Sequence, residues 1–231
     1  MTPDKSNIGS LFNRIAGSYD GLNHFLSFGT DRGWRRKAVA GMVPADKVLD
    51  VAIGTADLTI ELFRQKKAAQ VTGIDLSEEM MKIGAEKTAA KGLADKVEFR
   101  LESALEMPFS DSTFDAVTCS YGVRNFSDLD KGLSEMFRVM KPGGELMVLE
   151  FSYPENKVVS RCYDLYFSNI LPFFGRLFSK DKTAYKYLNR SVKDFIWGEE
   201  FCAHLKSRGF TGISFKPLTF GITTIYRAFK R

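Results

Sequence analysis

The sequence contains no apolar run approaching the ~20 residues that a helical membrane span requires, which argues against an integral helical membrane protein. Cysteine is scarce. Cys119, Cys162 and Cys202 are odd in number and lack the paired spacing of a zinc site or a disulfide framework, so all three are expected to be reduced packing residues. Only two histidines occur, and His24 and His204 fit core or surface roles better than catalysis. The opening MTPDKSNIGS lacks the basic start and apolar centre of a secretory signal, so a cytoplasmic location is expected. An excess of one charge sign is also modest. The net charge of +5 comes from lysines and arginines interspersed with acids, which reads as a solvated basic surface and not as a nucleic-acid site. One cluster stands out: Arg32, Arg35, Arg36 and Lys37 around Trp34.

What is present is an alternation. From Lys47 onward short β-branched runs alternate with longer helical stretches, the pattern of a mostly parallel sheet with crossover helices. Strands are expected at Val48 to Val51, Val71 to Ile74, Val97 to Leu101, Ala116 to Cys119 and Glu145 to Phe151. Asp57 to Lys67, Glu78 to Lys91 and Leu129 to Met140 carry apolar residues at helical spacing without internal proline. Lys141, Pro142, Gly143 and Gly144 then read as a turn. After a further helix at Glu199 to Ser207, Phe210 to Leu218 and Ile222 to Lys230 alternate like the strands of a terminal antiparallel hairpin. A length of 231 residues fits one domain of this kind. Residues 1–44 and 155–196 lie outside the alternation and are expected to form an N-terminal helical cap and a lid over the sheet's carboxyl edge, where open α/β sheets bind ligands.

The first strand-to-helix loop carries the chemistry. Asp50, Val51, Ala52, Ile53, Gly54, Thr55, Ala56 and Asp57 follow a strand and open a helix, as a nucleotide-type cofactor requires. Only Gly54 gives free backbone approach; Ala52 and Ala56 stand where dinucleotide fingerprints have glycine, which disfavours an NAD-linked oxidoreductase. The acids point further away from it. Asp50 and Asp57 would repel a pyrophosphate and attract the sulfonium and ammonium groups of S-adenosylmethionine. Asp75 ends the second strand about 20 residues past the glycine, where a carboxylate can accept ribose hydroxyls; its other reading is a helix-start turn. Ser103 and Ala104 follow the third strand, where adenine would pack, and Ser120 closes the fourth. An α/β sheet of seven strands, mostly parallel, Rossmann-like and ending in a hairpin, is by analogy the class I methyltransferase fold.

Longer blocks carry a closer likeness. SYDGLNHFLSFGTDRGWRR with Tyr19, Asp20 and Trp34, the DVAIGTADL loop, LEMPFSDSTFD, SYGVRN from Ser120 to Asn125, RVMKPGGELMVLEFS from Arg138 to Ser152, and AYKYLNRSV resemble the ubiquinone/menaquinone biosynthesis C-methyltransferases. The chain departs from that family's usual residues at Leu22, Asp31, Ala56 and Ser103. The resemblance implies transfer of a methyl group from S-adenosylmethionine to a ring carbon of a reduced polyprenyl quinone precursor, demethylmenaquinol in the first instance, without a metal. Under it, Arg124 orients water and stabilises the developing phenolate, Asn125 holds the hydroxyl or the same water, and Asp57 orients Arg124 or favours the sulfonium. Tyr19 and Asp20 are further catalytic candidates, with Asp50, Gly54, Thr55, Asp75, Ser103, Ala104 and Ser120 holding the cofactor. Arg161 to Phe178 is dense in Phe, Tyr and Leu; it reads equally as lid packing, or as an isoprenoid groove or peripheral contact with a bilayer. A different small aromatic or lipid acceptor, or a binding module that has lost catalysis, are the competing readings.

Overall fold

The structure is a computed structural model that describes residues 8–165, 187 and 190–231. Two helices, α1 (Ile8–Leu26) and α2 (Thr30–Ala40), precede the sheet. There follow β1 (Ala45–Val51), α3 (Asp57–Arg64), β2 (Ala68–Asp75), α4 (Glu78–Ala89), β3 (Val97–Leu101), β4 (Phe114–Ser120), α5 (Leu129–Val139) and β5 (Met140–Phe151). The chain continues through α6 (Lys157–Leu165), α7 (Glu199–Ser207), β6 (Thr211–Leu218) and β7 (Thr223–Phe229). One seven-stranded sheet runs in the order β3-β2-β1-β4-β5-β7-β6. β1 to β5 are parallel, and β7 and β6 close the sheet antiparallel. The fold class expected from the alternation is the one found.

Burial explains why these runs become strands. Val48, Leu49 and Val51 of β1, Ala116, Val117 and Cys119 of β4, and Leu146 to Leu149 of β5 are almost wholly buried, because helices cover both faces of a parallel sheet. One face packs α5, α7 and Tyr226 into a cluster around Val117 and Leu133. The other packs Trp34, Val39 and Leu62 against Val48, Met147 and Leu149. Cys119 belongs to the first cluster, its thiol pushed up by burial, and Cys202 is half-buried and free. The side chain of Cys162 lies outside the described residues.

Two details differ from the sequence expectation. Lys141 to Gly144 do not interrupt the sheet: β5 begins at Met140, and a bulge opposite Phe114 to Ala116 absorbs the irregularity. Backbone pairing makes this possible, since Gly143 N–H donates to Lys230 O (2.7 Å) and Lys230 N–H to Gly144 O (3.1 Å). The helices α3 and α4 are shorter than their apolar periodicity, ending at Arg64 and Ala89, and Lys66 and Gly92 take left-handed conformations just beyond.

The strand order reverses between β1 and β4, so the loops that leave their carboxyl ends diverge and leave a crevice. Close backbone approach there depends on Gly122, where a β-carbon would stand 2.6 Å from Ala52 Cβ and 2.7 Å from Cys119 Sγ. Gly122→Ala is expected to destabilise the fold by about 1–3 kcal/mol through overpacking, read as a melting temperature several degrees lower.

Candidate active site

A cavity occupies that crevice. Its floor is Ala52, Gly54 and Ile74, its sides carry Asp75, Ser103, Ala104, Ser120, Tyr121 and Asn125, and α1 contributes Phe12 and Tyr19 from above. Two lining side chains, Asp75 and Glu102, are carboxylates, and no lysine, arginine or histidine lines it among the described residues.

The loop at the floor is held in an unusual shape. Ala52 (φ 57), Gly54 (φ 53) and Ala56 (φ 62) all lie in the left-handed region, which an L-residue enters at a cost of roughly 1–2 kcal/mol. Local bonds hold it there: Ile53 N–H donates to Ile74 O, and Gly54 N–H donates to Asp75 Oδ2 (2.8 Å). The other Asp75 oxygen accepts from Ser77 N–H (2.8 Å), and Ser77 caps α4 by accepting from Met80 N–H. Asp75 therefore both shapes the helix start and stays at the cavity wall. Burial pushes its carboxyl up, against the pull of the Ser77, Gly54 and Leu76 amides. Ser103 accepts from Leu105 N–H (3.1 Å), which fixes the β3 loop along the cavity.

Asp50 sits elsewhere than expected. It is buried behind the loop, does not line the cavity, and accepts from Thr59 Oγ1 (2.6 Å) of α3 and Thr118 Oγ1 (2.8 Å) of β4. Asp50 thus binds β1, α3 and β4 together. Burial pushes its carboxyl up to about 6, the two threonine hydroxyls opposing.

Asp57 also departs from its expected place. The resemblance implies that it orients Arg124 or favours the sulfonium; it does not line the cavity and pairs with Lys87 of α4 and with Arg35 (3.0 Å) of α2. Each end of this chain of charges continues. Lys87 also meets Asp20 (2.6 Å), whose other oxygen accepts from Thr55 Oγ1 (2.6 Å), while Arg35 also meets Asp31, which in turn holds His24 and Ser27 at 2.8 Å. Asp20 and Thr55 are therefore parts of a strap that ties α1 and α2 to α3 and α4 beside the cavity, and neither lines it. Arg35 does not belong to the exposed basic cluster into which the sequence placed it; only Arg32, Arg36 and Lys37 are exposed.

Arg124 and Asn125 form a single 3-10 turn after β4. The guanidinium of Arg124 is buried and paired with Glu150 at the end of β5 (Nη1 to Oε1, 2.8 Å), also donating to Tyr121 O. Glu150 additionally accepts from the Arg124 and Phe151 amides. Burial pushes the Glu150 carboxyl up against the pull of Arg124. The partner of Arg124 is thus Glu150 and not Asp57, because the β4 turn faces the end of β5 and α3 points the other way. Arg124 stands behind the cavity wall, and its Nε has no hydrogen-bond partner among the described residues. Asn125 lines the cavity, and its Oδ1 accepts from Tyr187 OH (2.9 Å). Tyr187 is buried against Ile8 and Leu11 of α1. Burial raises the Tyr19 hydroxyl, with Arg124 opposing.

Sequence reasoning assigned no role to Glu150, Tyr187, Lys87 or Arg35. Glu150 and Tyr187 lie within quoted blocks, EFS and AYKYLNRSV, but nothing in their spacing says what they face. His204 pairs with half-buried Asp130 (2.8 Å), far from the site, and no metal-type cluster of three ligands occurs among the described residues.

The ubiE/COQ5 methyltransferase family model matches residues 1–230. The chain belongs to that family. It is similar to a demethylmenaquinone methyltransferase of Bacteroides fragilis, 43% identical over 95% of this chain and 91% of that one. A ubiquinone/menaquinone biosynthesis C-methyltransferase of Geobacter sulfurreducens is 44% identical over 98% of this chain and 89% of that one. Among solved structures, a SAM-dependent methyltransferase of Thermotoga maritima superposes with a TM-score of 0.70 at 18% identity, covering 96% of this chain and 99% of the other. That likeness carries the fold. In this ubiE/COQ5 family member the sheet is accordingly of the methyltransferase type.

The position of Asp50 generates a test. With a folded value near 6 against ~3.9 unfolded, Asp50 contributes stability that is present below about 4 and lost as pH rises through 6. Asp50→Asn is expected to melt about 2–4 °C above the wild type at pH 8, the equivalent of ~1 kcal/mol at this size. The gap closes toward pH 4. Thermal melts across that range check the sign.

Proposed function

We propose that the protein transfers a methyl group from S-adenosylmethionine to a ring carbon of a reduced polyprenyl quinone precursor, demethylmenaquinol first among them. The observation that carries this reading is a cavity at the carboxyl ends of the strands with two carboxylates, no cationic side chain among the described residues, and a polar amide, Asn125, on one wall. Such a lining suits a cationic cofactor and an apolar ring, and it suits the pyrophosphate of a dinucleotide badly. The donor set fits S-adenosylmethionine: Asp75 offers a carboxylate for a ribose diol, Gly54 the close backbone approach, and Ser103, Ala104 and Leu105 a flat wall for adenine. When bound, the cofactor supplies a methyl group on a positively charged sulfur.

The chain's own residues then have to make carbon nucleophilic. Loss of the proton from one quinol hydroxyl pushes electron density onto the adjacent ring carbon, which forms the new bond to the methyl group as the carbon–sulfur bond breaks. The ring proton then leaves and the oxygen is reprotonated, so the products are the methylated quinol, the neutral thioether and one proton. Asn125 holds the hydroxyl or a water at the wall, with its carbonyl oxygen engaged by Tyr187. Arg124 supplies positive charge behind that wall, and its Nε, which has no hydrogen-bond partner among the described residues, is the donor we assign to orienting water or favouring the phenolate. Tyr19 faces the same space from α1. Asp20, Thr55, Asp57 and Asp50 act through position, by holding the strap and the loop.

We place the reaction at a membrane surface, reached by peripheral contact, because a polyprenyl tail partitions into lipid. The aromatic stretch first considered for that contact includes residues 166–178, which lie outside the described residues. In this reading the N-terminal cap encloses the site through Ile8, Phe12 and Tyr19 of α1; most of the segment from 155 to 196 lies outside the described residues.

The decisive experiment incubates purified protein with labelled S-adenosylmethionine and reduced candidate quinols, with mass spectrometry of the product. Methylated quinol is expected, and transfer only to an unrelated acceptor would refute the reading. Asn125→Ala is expected to lower turnover about 100 to 1,000-fold, the usual cost of losing one donor to a developing oxyanion, while calorimetry finds cofactor affinity unchanged. Asp75→Ala shows the reverse emphasis, with cofactor affinity falling. Arg124→Ala is the poorer probe, because it leaves Glu150 buried and unpaired at a cost of about 3–5 kcal/mol. Tyr187→Phe removes a single hydrogen bond worth ~1 kcal/mol, and about a fivefold loss in turnover at unchanged cofactor affinity is expected in single-turnover assays.

A further inference from the structure

We propose that the carboxyl edge of the sheet, at the tips carrying Phe220 and Phe28 and flanked by Arg32, Arg36 and Lys37, docks reversibly on a bilayer of anionic lipid. The inference builds on the proposed lipid-borne acceptor only for its purpose; the surface itself is argued from the structure.

The distribution of exposed apolar side chains is lopsided. Seven large ones are exposed among the described residues. Phe28, Leu76, Leu101 and Phe220 sit at or just beyond the carboxyl ends of the parallel strands, and Val158 and Leu165 lie on the helix that follows β5. Val43 lies at the opposite edge, where its N–H meets Glu145 at the start of β5. Because Phe151 at the end of β5 pairs with Thr223 at the start of β7, the β6–β7 turn also falls on the carboxyl edge. Phe220 is at its tip.

The two phenylalanines are the most exposed of the set, at 80% for Phe28 and 79% for Phe220. Both occupy backbone that disfavours them. Phe220 (φ 58) stands between Thr219 (φ 48) and Gly221 (φ 89), and Phe28 (φ 51) precedes Gly29 (φ 74). Asparagine or glycine would hold the turn at Phe220 with less strain, so that turn does not itself call for an aromatic ring. The turns are also joined. Trp34 Nε1–H donates to Thr219 Oγ1 (2.8 Å), and Trp34 packs edge-on against Phe151, which fixes the β6–β7 turn to the first turns of α2.

That helix supplies the charge. Arg32, Arg36 and Lys37 are exposed on α2 within about two turns, roughly 11 Å, of its start. Arg32 lies well inside the ~8 Å over which a charged surface is felt at physiological salt, and the long side chains of Arg36 and Lys37 start close to that distance. The neighbouring acid Asp31 is buried and paired with Arg35 and His24; the exposed acids of this edge include Glu155 after β5, Asp128 at the start of α5, and Glu78 and Glu79 at the start of α4. Apolar tips that enter the headgroup boundary beside cations that meet anionic headgroups are what an interfacial protein presents. A flat apolar face for another protein is not what these separate turns form. No helix among the described residues is long and apolar enough to cross a membrane, so the contact lies on the surface.

Flotation of the full chain with mixed phosphatidylcholine and phosphatidylglycerol vesicles tests this without any quinol. Binding is expected, weaker on phosphatidylcholine alone and weaker in high salt. Phe220→Ser and Phe28→Ser should each weaken binding about tenfold, and Arg32→Gln and Arg36→Gln about fivefold each on the anionic vesicles. Val43→Ser serves as the control and should bind as the wild type. Turnover of a water-soluble short-tailed quinol should be unchanged in Phe220→Ser, while turnover of a long-tailed quinol in vesicles falls. Equal binding by wild type, Phe220→Ser and the arginine variants, or no binding to anionic vesicles, overturns the proposal. If binding behaves as expected but no quinol is methylated, the docking face stands and the assigned reaction falls.

Discussion

The buried pair of Arg124 with Glu150 is the interaction on which the site depends. Two charges removed from water are tolerated only when geometry and further hydrogen bonds satisfy them. Glu150 is accordingly fed by its own strand end and by the Arg124 amide, and Arg124 also donates to Tyr121 O. The result is a stapled corner between the ends of β4 and β5. From that corner Asn125 projects into the cavity, Tyr187 reaches it from the far segment, and Phe151 carries Trp34 and with it the start of α2.

A second principle organises the opposite side of the crevice. Acidic residues are used there in two ways, distinguished by their neighbours and not by their sequence positions. Asp20, Asp31 and Asp57 are matched by Lys87, Arg35 and His24 and so form a strap. Asp50 and Asp75 meet only hydroxyl and amide donors. Negative charge is thus matched by cations where helices are joined, whereas Asp75 at the cavity wall and Asp50 behind the loop are left without one. The burial that raises both retained carboxyls is the same burial that would strengthen their attraction for a cation.

How much of this could be read from the sequence follows from the range of the signals. Strand positions were legible because β-branched runs such as Val48 to Val51 are buried on both faces, and helix positions because periodicity is local. The KPGG segment reads as a turn because what keeps it in β5 is not local: the bulge is set against β4, and the pairing with Lys230 comes from just past the end of β7, nearly 90 residues later. Gly54 and Asp75, which line the cavity, were legible because loop position alone places them at the strand ends, whereas Asn125 was named only through the likeness of the SYGVRN block. The partner of Arg124 was missed for the opposite reason: charge can be counted along a chain, but pairing depends on which strand ends adjoin. Asp57 is nearer in sequence to Arg35 than Glu150 is to Arg124, yet neither separation indicates contact. Only the strand order β1-β4-β5 does so.

The loop beneath the cavity carries alanine at two left-handed positions where glycine would be at ease. Glycine would leave that segment many shapes in the unfolded chain and several in the folded one. Alanine admits few, and the methyl of Ala52 also faces the cavity. The floor of the site is therefore preset, and the disorder that a glycine-rich loop gives up on meeting its ligand has here been surrendered during folding. Association with the cofactor should accordingly show a small entropic penalty from this loop, its thermodynamic character resembling occupation of a rigid mould more than the tightening of a flexible one.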